Sequence, residues 1–228
     1  MNIEILKLLK GAKQASGLTV VIDVFRAFST ACYIINQNGK LFVTDSIDVA
    51  ENFKYRNSST VTAGERKGIK IEGFDFGNSP FEVNNTKFSN NPVVLTTSAG
   101  TKGIINARNA SKIITGSFVN AESIVSFIKS RGFKKVSLVA MGNNGVEINK
   151  EDMMCARYIK NRVLDKKTNI DPKNLEDLLK DAGKRFFDKN NKESYPQDYY
   201  LSLKINKFDF VLEAIKIKDS LYRLKKIE

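Results

Sequence analysis

The 228-residue chain contains no histidine and no tryptophan, and only two cysteines and four prolines. Without histidine there is no Ser-His-Asp triad, no Cys-His dyad, no phosphohistidine and no imidazole-ligated metal. Acid–base or metal chemistry must therefore run on Asp, Glu, Lys, Tyr, Cys or the backbone. Cys32 and Cys155 form no Cys-x-x-Cys pair and cannot build a disulfide framework. The Arg that a cysteine-based tyrosine phosphatase needs six positions on is missing after Cys155, so both thiols read as buried and structural. Long apolar runs are missing too. The longest are strand-sized, as in 18–22 and 93–95, far short of the roughly 18–20 residues of a membrane span. The mean hydropathy is −0.28. The first 13 residues mix apolar and Lys side chains without a small-residue cleavage site, so no signal peptide is expected and the expected location is the cytoplasm.

What is abundant is positive charge. Lys and Arg number 37 against 25 Asp and Glu, a net charge of +12. The excess is spread along the chain, with no basic tail or Arg-rich block, which reads as a solvated basic surface. With Trp absent and no recognition motif, nucleic acid is not the expected partner. A small anionic substrate is. No membrane partner is expected, and a homo-oligomer stays open.

Periodicity then gives the organisation. Buried-strand patterns at 18–24, 40–44, 60–63, 92–97, 112–115 and 135–141 alternate with helical patterns at 27–36, 47–55, 102–110, 121–130 and 150–164. Short strands separated by helices argue for βαβ units and a three-layer α/β/α fold with a largely parallel or mixed sheet. The expectation is a single domain over 1–228. A polar stretch at 165–197 reads as a helical surface excursion, with helices starting at Asp171-Pro172 and near 182–188. The tail at 199–228 fits either a hairpin turned at Asp219-Ser220 or a helix.

In open α/β sheets ligands collect at the carboxyl ends of the strands. Here those ends carry Asp23 and Arg26, Gly64-Glu65-Arg66, Thr96 to Thr101, Gly116 to Asn120 and Gly142 to Gly145, with Glu151-Asp152 opening the next helix. The hydroxyl- and Gly-rich stretch with Thr97, Ser98, Gly100 and Thr101 is either a phosphate cradle or ordinary helix capping, and Ser117 with Asn120 shares that context. It is not a P-loop, since no G-x-x-x-x-G-K-[ST] occurs. Asp23, Glu65 and Asp152 would repel one another at one edge unless a cation sat among them, and oxygen-only ligation suits Mg²⁺; alternatively each caps a helix or pairs with Arg26 or Arg66. The long loop at 64–82 adds Lys67 and Lys70 as anion grips and contains Asp75-Phe76-Gly77. A kinase reading fails for want of the His-Arg-Asp loop.

Six blocks occur in order: Val21-Ile22-Asp23-Val24-Phe25-Arg26-Ala27, Gly64-Glu65-Arg66, Gly73-Phe74-Asp75-Phe76-Gly77-Asn78-Ser79-Pro80, Thr96-Thr97-Ser98-Ala99-Gly100-Thr101, Gly116-Ser117-Phe118-Val119-Asn120 and Glu151-Asp152-x-x-Cys155-Ala156. Together they resemble the 2-phosphosulfolactate phosphatases, the ComB-like family linked to coenzyme M biosynthesis, over roughly residues 18–160. The resemblance implies a ComB-like α/β fold and Mg²⁺-dependent hydrolysis of a phosphate monoester to sulfolactate and phosphate. Asp23, Arg26, Glu65, Asp75, Asn78, Ser79, Asp152 and Cys155 fall on its motif positions. Ala99 stands where the family commonly has Asn, and Phe28-Ser29 replaces a Thr-rich stretch. The candidate site thus has Asp23, Arg26, Glu65 and Asp75 as catalytic residues. Arg66, Asn78, Ser79, Thr97, Ser98, Gly100, Thr101, Ser117 and Asn120 are the substrate contacts, and Asp23, Glu65 and Asp152 are the Mg²⁺ ligands. The competing reading is a non-enzymatic binding module for small anions or nucleic acid.

Overall fold

A computed structural model describes residues 1–168, 177–178 and 182–227. Its centre is a ten-stranded mixed sheet. Two blocks of parallel strands make up most of it. The first holds β1 (Asn2–Lys7), β8 (Lys135–Ala140), β2 (Gly17–Ile22) and β7 (Ala110–Gly116), in that spatial order. The second holds β3 (Lys40–Thr44), β6 (Pro92–Thr96) and β4 (Val61–Arg66), with the short antiparallel β5 (Ile69–Lys70) at its edge. A hairpin of β9 (Val211–Lys218) and β10 (Leu221–Ile227) joins them: β9 pairs antiparallel with β7, and β10 antiparallel with β3. The sheet is therefore mixed, and the tail is a hairpin turned at Asp219-Ser220.

The parallel strands are apolar at successive positions because both faces are covered. Val21, Leu41, Val43, Val93, Leu95 and Val139 point into one core with α2 (Ala27–Asn36), α5 (Gly100–Asn106) and α1 (Leu8–Gln14). Their neighbours Val20, Ile22, Ile114 and Leu138 face α6 (Ala121–Ser130) and α7 (Lys150–Val163) on the other side. Under the second block, Val94 packs with Ala50 of α3 (Ile47–Arg56). Strand β6, which leads into α5, lies five strand positions from β2. At about 4.8 Å per position a flat sheet would hold them roughly 24 Å apart. Yet a Cβ at Gly103 of α5 would sit 2.6 Å from Val21 of β2. The sheet curls, and α5 lies in its concave side, bringing the carboxyl ends of β2, β4 and β6 toward one point.

The structure moves several expected boundaries. Helix α5 begins at Gly100 rather than 102 and ends before 110, where β7 has already started. The first 13 residues, read only as an apolar and Lys mixture, are the edge strand β1 and helix α1, with Ile3 and Ile5 packed in one core and Leu6 against the other. The loop after β5 contains α4 (Pro80–Asn84), capped by Ser79. Of the excursion, 182–186 is a 3-10 helix, and α8 (Pro196–Ser202) follows; the helix expected from Asp171-Pro172 lies outside the described residues.

Gly64 is the tightest point of the second block. A Cβ there would stand 2.2 Å from the Thr96 carbonyl oxygen across the β4–β6 pair. Gly64→Ala is expected to cost about 1–3 kcal/mol by overpacking and to displace the adjacent Glu65. A thermal melt identical to the wild type would contradict the close approach.

Candidate active site

A cavity of about 430 Å³ opens at the carboxyl edge of the curled sheet. Asp23, Phe25 and Arg26 enter it from the turn between β2 and α2, and Glu65, Lys67 and Gly68 from the end of β4. Ser98 and Ala99 come from the β6–α5 turn, Gly142 to Asn144 and Glu147 from the loop after β8, and Asn78, Ala182 and Arg185 complete the wall.

Of the three carboxylates on this wall, Asp23, Glu65 and Glu147, the two at the strand ends are held differently. Asp23 is buried, and its Oδ1 accepts from the Ala27 N–H at 3.1 Å. Burial first, then the charge of Asp152, then that of Glu65 push its carboxyl well above the usual range. Gly100 is needed beside it, since a Cβ there would lie 2.8 Å from Asp23 Oδ2 and 2.7 Å from the Ala27 Cβ. Glu65 is tied down on both oxygens. The Ser98 N–H donates to Oε1 at 2.7 Å; the Gly68 N–H (2.7 Å) and the Ser98 hydroxyl (3.0 Å) donate to Oε2. Ser98 therefore orients a carboxylate as well as lining the cavity. Asn78 is buried on the wall, and its Oδ1 has no hydrogen-bond partner among the described residues.

Three cations face these carboxylates: Arg26, Lys67 and Arg185. Arg26 is fixed by Asp198. Its Nη1 donates to Asp198 Oδ2 at 2.6 Å and to the Glu193 carbonyl at 3.1 Å. The other Asp198 oxygen accepts from the Ser79 hydroxyl (2.6 Å) and the Phe81 N–H (3.0 Å). Arg185 donates from Nη2 to the Phe25 carbonyl at 3.0 Å, and burial followed by the charge of Arg26 lowers its pKa. Neither Arg185 nor Asp198 stood out in the sequence. Tyr195-Pro196-Gln197-Asp198 carries a helix-start signal, but nothing local marks its aspartate as buried.

The remaining candidates are not on the wall. Asp75 accepts two bonds from Lys54 Nζ (2.8 and 2.6 Å) and two from Thr62, its N–H at 2.7 Å and hydroxyl at 2.9 Å. It braces the loop after β5 against α3 and β4, away from the cavity. Arg66 donates to the carbonyls of Glu65 and Asp45 and to Thr96 Oγ1, knitting strand ends together. Lys70 donates from Nζ to the Asp75 carbonyl. Ser79 caps α4 and holds Asp198. Thr97 and Thr101 bond each other behind the turn, as ordinary capping would have it. Ser117 and Asn120 form a reciprocal cap, with Ser117 also bonded to Ser29 and Asn120 to the Phe210 carbonyl.

Asp152 is the largest correction. It is fully buried, with Oδ1 accepting from the Val24 N–H and Oδ2 from the Gly142 N–H, both at 2.8 Å. Gly142 holds a left-handed φ of +66° that brings its N–H to the carboxylate. Asp152 thus clamps the β2 and β8 turns rather than opening onto the cavity. Among the described residues no three Asp, Glu or Cys side chains gather as a metal cluster. Cys155 is buried in the core beneath α7, and burial followed by the charge of Asp152 drives its thiol far above the ordinary value. That environment disfavours a thiolate nucleophile.

Fold and cavity together define an α/β protein with a carboxylate pair set among two arginines and a lysine at the carboxyl edge of its sheet. The model of the 2-phosphosulpholactate phosphatase family matches residues 4–212, and the chain belongs to that family of phosphoric monoester hydrolases. A probable 2-phosphosulfolactate phosphatase of Clostridium botulinum (strain Eklund 17B / Type B) is 35% identical over 167 residues, 72% of this chain and 68% of that protein. One from Clostridium beijerinckii is 32% identical over 169 residues, again 72% and 68% of the two chains. One from Thermotoga petrophila is 37% identical over 144 residues, 63% and 61%. Among the described residues no helix is long and apolar enough to cross a membrane.

If Asp152 is a clamp, Asp152→Asn should turn an amide donor toward a backbone N–H and lower stability by about 1–3 kcal/mol. A thermal melt reads this. An unchanged melt accompanied by weakened Mg²⁺ binding would restore the ligand role.

Proposed function

We propose that the protein hydrolyses the phosphate monoester of 2-phospho-3-sulfolactate, or of a similar small phosphorylated hydroxy acid, to the free hydroxy acid and phosphate, with Mg²⁺ held at Asp23 and Glu65. The observation that carries this reading is the mixture of charges in one cavity: two fixed carboxylates beside Arg26, Lys67 and Arg185. A site for an anion alone has no use for two carboxylates that would repel it. A site for a metal alone has no use for three cations. A phosphorylated acid bound with a divalent cation satisfies both sets.

The donor set suits Mg²⁺. The ion takes oxygen ligands, keeps several waters and is commonly bound by one or two carboxylates plus substrate phosphate. Asp23 and Glu65 supply two, and their mutual repulsion is relieved by a cation between them. The third carboxylate expected from the sequence is not required. When bound, Mg²⁺ would neutralise charge developing on the phosphoryl oxygens. The protein's share is positioning. Ser98 and Gly68 fix Glu65, Ala27 fixes Asp23, and Arg26 is braced by Asp198 so that its guanidinium faces the cavity at a set angle. Phosphoryl transfer depends on such positioning and charge neutralisation more than on covalent chemistry. In the working mechanism water attacks phosphorus in line, oriented by a carboxylate of the cavity. The alternative, a binding module for nucleic acid or small anions, leaves the carboxylate pair without a purpose.

Phosphate release from 2-phosphosulfolactate should be abolished by excess EDTA and restored by Mg²⁺. Full turnover in chelator would remove the metal from the proposal. Because Cys155 is buried in the core away from the cavity, Cys155→Ala should keep at least about a tenth of kcat, whereas loss of a covalent nucleophile costs several orders of magnitude. Near-complete inactivation of a folded variant would reassign it.

A further inference from the structure

Arg185 reaches the cavity from a segment whose polar sequence suggested only a surface excursion. Its guanidinium lies 5.0 Å from the centre of the Phe186 ring, and that of Arg26 lies 5.7 Å from the same ring. The two cations are thus neighbours, but they are not equivalent. Arg26 has Asp198 as its counter-charge. Arg185 has no ion pair among the described residues; its Nη2 is taken by a neutral carbonyl, and its Nε is closed off from solvent with no acceptor there. A partly buried guanidinium beside a second one is costly unless an anion compensates it. The rest of the wall does not provide one within bonding distance, although the side chain lines the same cavity as Asp23 and Glu65.

The substrate proposed above carries more anions than its phosphate. With Mg²⁺ at Asp23 and Glu65, the phosphate has its counter-charge, while any further carboxylate or sulfonate must find its own elsewhere on the wall. We propose that Arg185 is a specificity-determining residue that receives a non-transferred anionic group of the substrate, a carboxylate or sulfonate, at the part of its side chain that lines the cavity. This rests on the phosphatase reading and goes beyond it by naming the residue that distinguishes a phosphorylated acid from a neutral phosphate monoester.

The test uses three substrates with the wild type and Arg185→Gln: 2-phosphosulfolactate, 2-phospholactate, which keeps only the carboxylate, and glycerol 2-phosphate, which has neither group. Losing one charge-assisted bond should reduce kcat/KM about 10- to 150-fold on the substrates bearing the recognised anion, and at least about tenfold less on glycerol 2-phosphate. A loss confined to 2-phosphosulfolactate assigns the sulfonate; a loss on both acids assigns the carboxylate. Equal losses on all three, or none, overturn the proposal. Should Arg185→Gln fail to fold, as judged by its thermal melt, Arg185→Lys carries the same comparison with a smaller expected loss of the same ranking. Calorimetric binding of sulfolactate in the presence of Mg²⁺ separates the two readings. A wild type that releases no phosphate but binds sulfolactate with an Arg185-dependent affinity refutes only the phosphatase reading. An inactive wild type that does not bind sulfolactate refutes both.

Discussion

Arg26 and Asp198 are 172 positions apart in the chain and 2.6 Å apart in space, both almost completely buried. Much of the cavity depends on that pair. A buried ion pair adds little net stability over an apolar alternative, because desolvation offsets the attraction. Removing one partner, however, leaves a naked charge and is strongly destabilising, so the pair fixes geometry. Asp198 takes the guanidinium on one oxygen and Ser79 and Phe81 on the other. In that way one carboxylate locks three separate stretches together: the β2–α2 turn, the start of α4 and the start of α8. The Lys70 N–H, donating to Glu193 at 2.7 Å, ties the β4–β5 corner to the same segment. The wall of the cavity is thus assembled from remote pieces pinned by charge, over a floor set by the curled sheet.

That arrangement explains what could be read from the sequence. The strand and helix pattern from 17 to 163 was legible because parallel strands buried on both faces are continuously apolar, and α2, β3 and α6 fall where periodicity puts them. That Asp23 and Glu65 would share one edge was legible because both sit at carboxyl ends of strands. Position along the edge was not. Asp152 occupies a strand-end context as well, yet its side chain turns toward the Val24 and Gly142 N–H groups, and no local pattern distinguishes a carboxylate that clamps two turns from one that faces a ligand. Asp75 misled for a related reason: its motif position is occupied, but the Thr62 and Lys54 donors that claim it lie on other elements.

The residues 182–202 were the least legible and contribute heavily to the wall. Their polarity is real, but polarity along the chain does not reveal which polar groups face inward. Phe186 and Tyr199, set in a stretch rich in charged and polar side chains, pack with Phe25 at ring separations of 5.0 and 5.6 Å. These aromatic contacts dock the segment over the β2–α2 turn. The ambiguity of the tail had another source. Ile215 and Ile217 alternate as a strand requires, but they are half-exposed, so the usual signature of an inward face was weak at that end of β9.

The hairpin of β9 and β10 has a bearing on how the molecule is made. It is the last element in chain order, yet it lies between β7 and β3, in the middle of the sheet. Until residues 211–227 are in place, the two parallel blocks have no hydrogen bonds between them, and each presents an open edge, β7 on one and β3 on the other. During synthesis from the N-terminus the blocks therefore emerge as halves whose inner edges can template wrong pairings. The final closing step is a strand-pair insertion rather than the addition of an outer strand. Such non-local pairing is slow to form, which makes the interval between translation of β7 and of β10 the period in which this chain most depends on protection from aggregation.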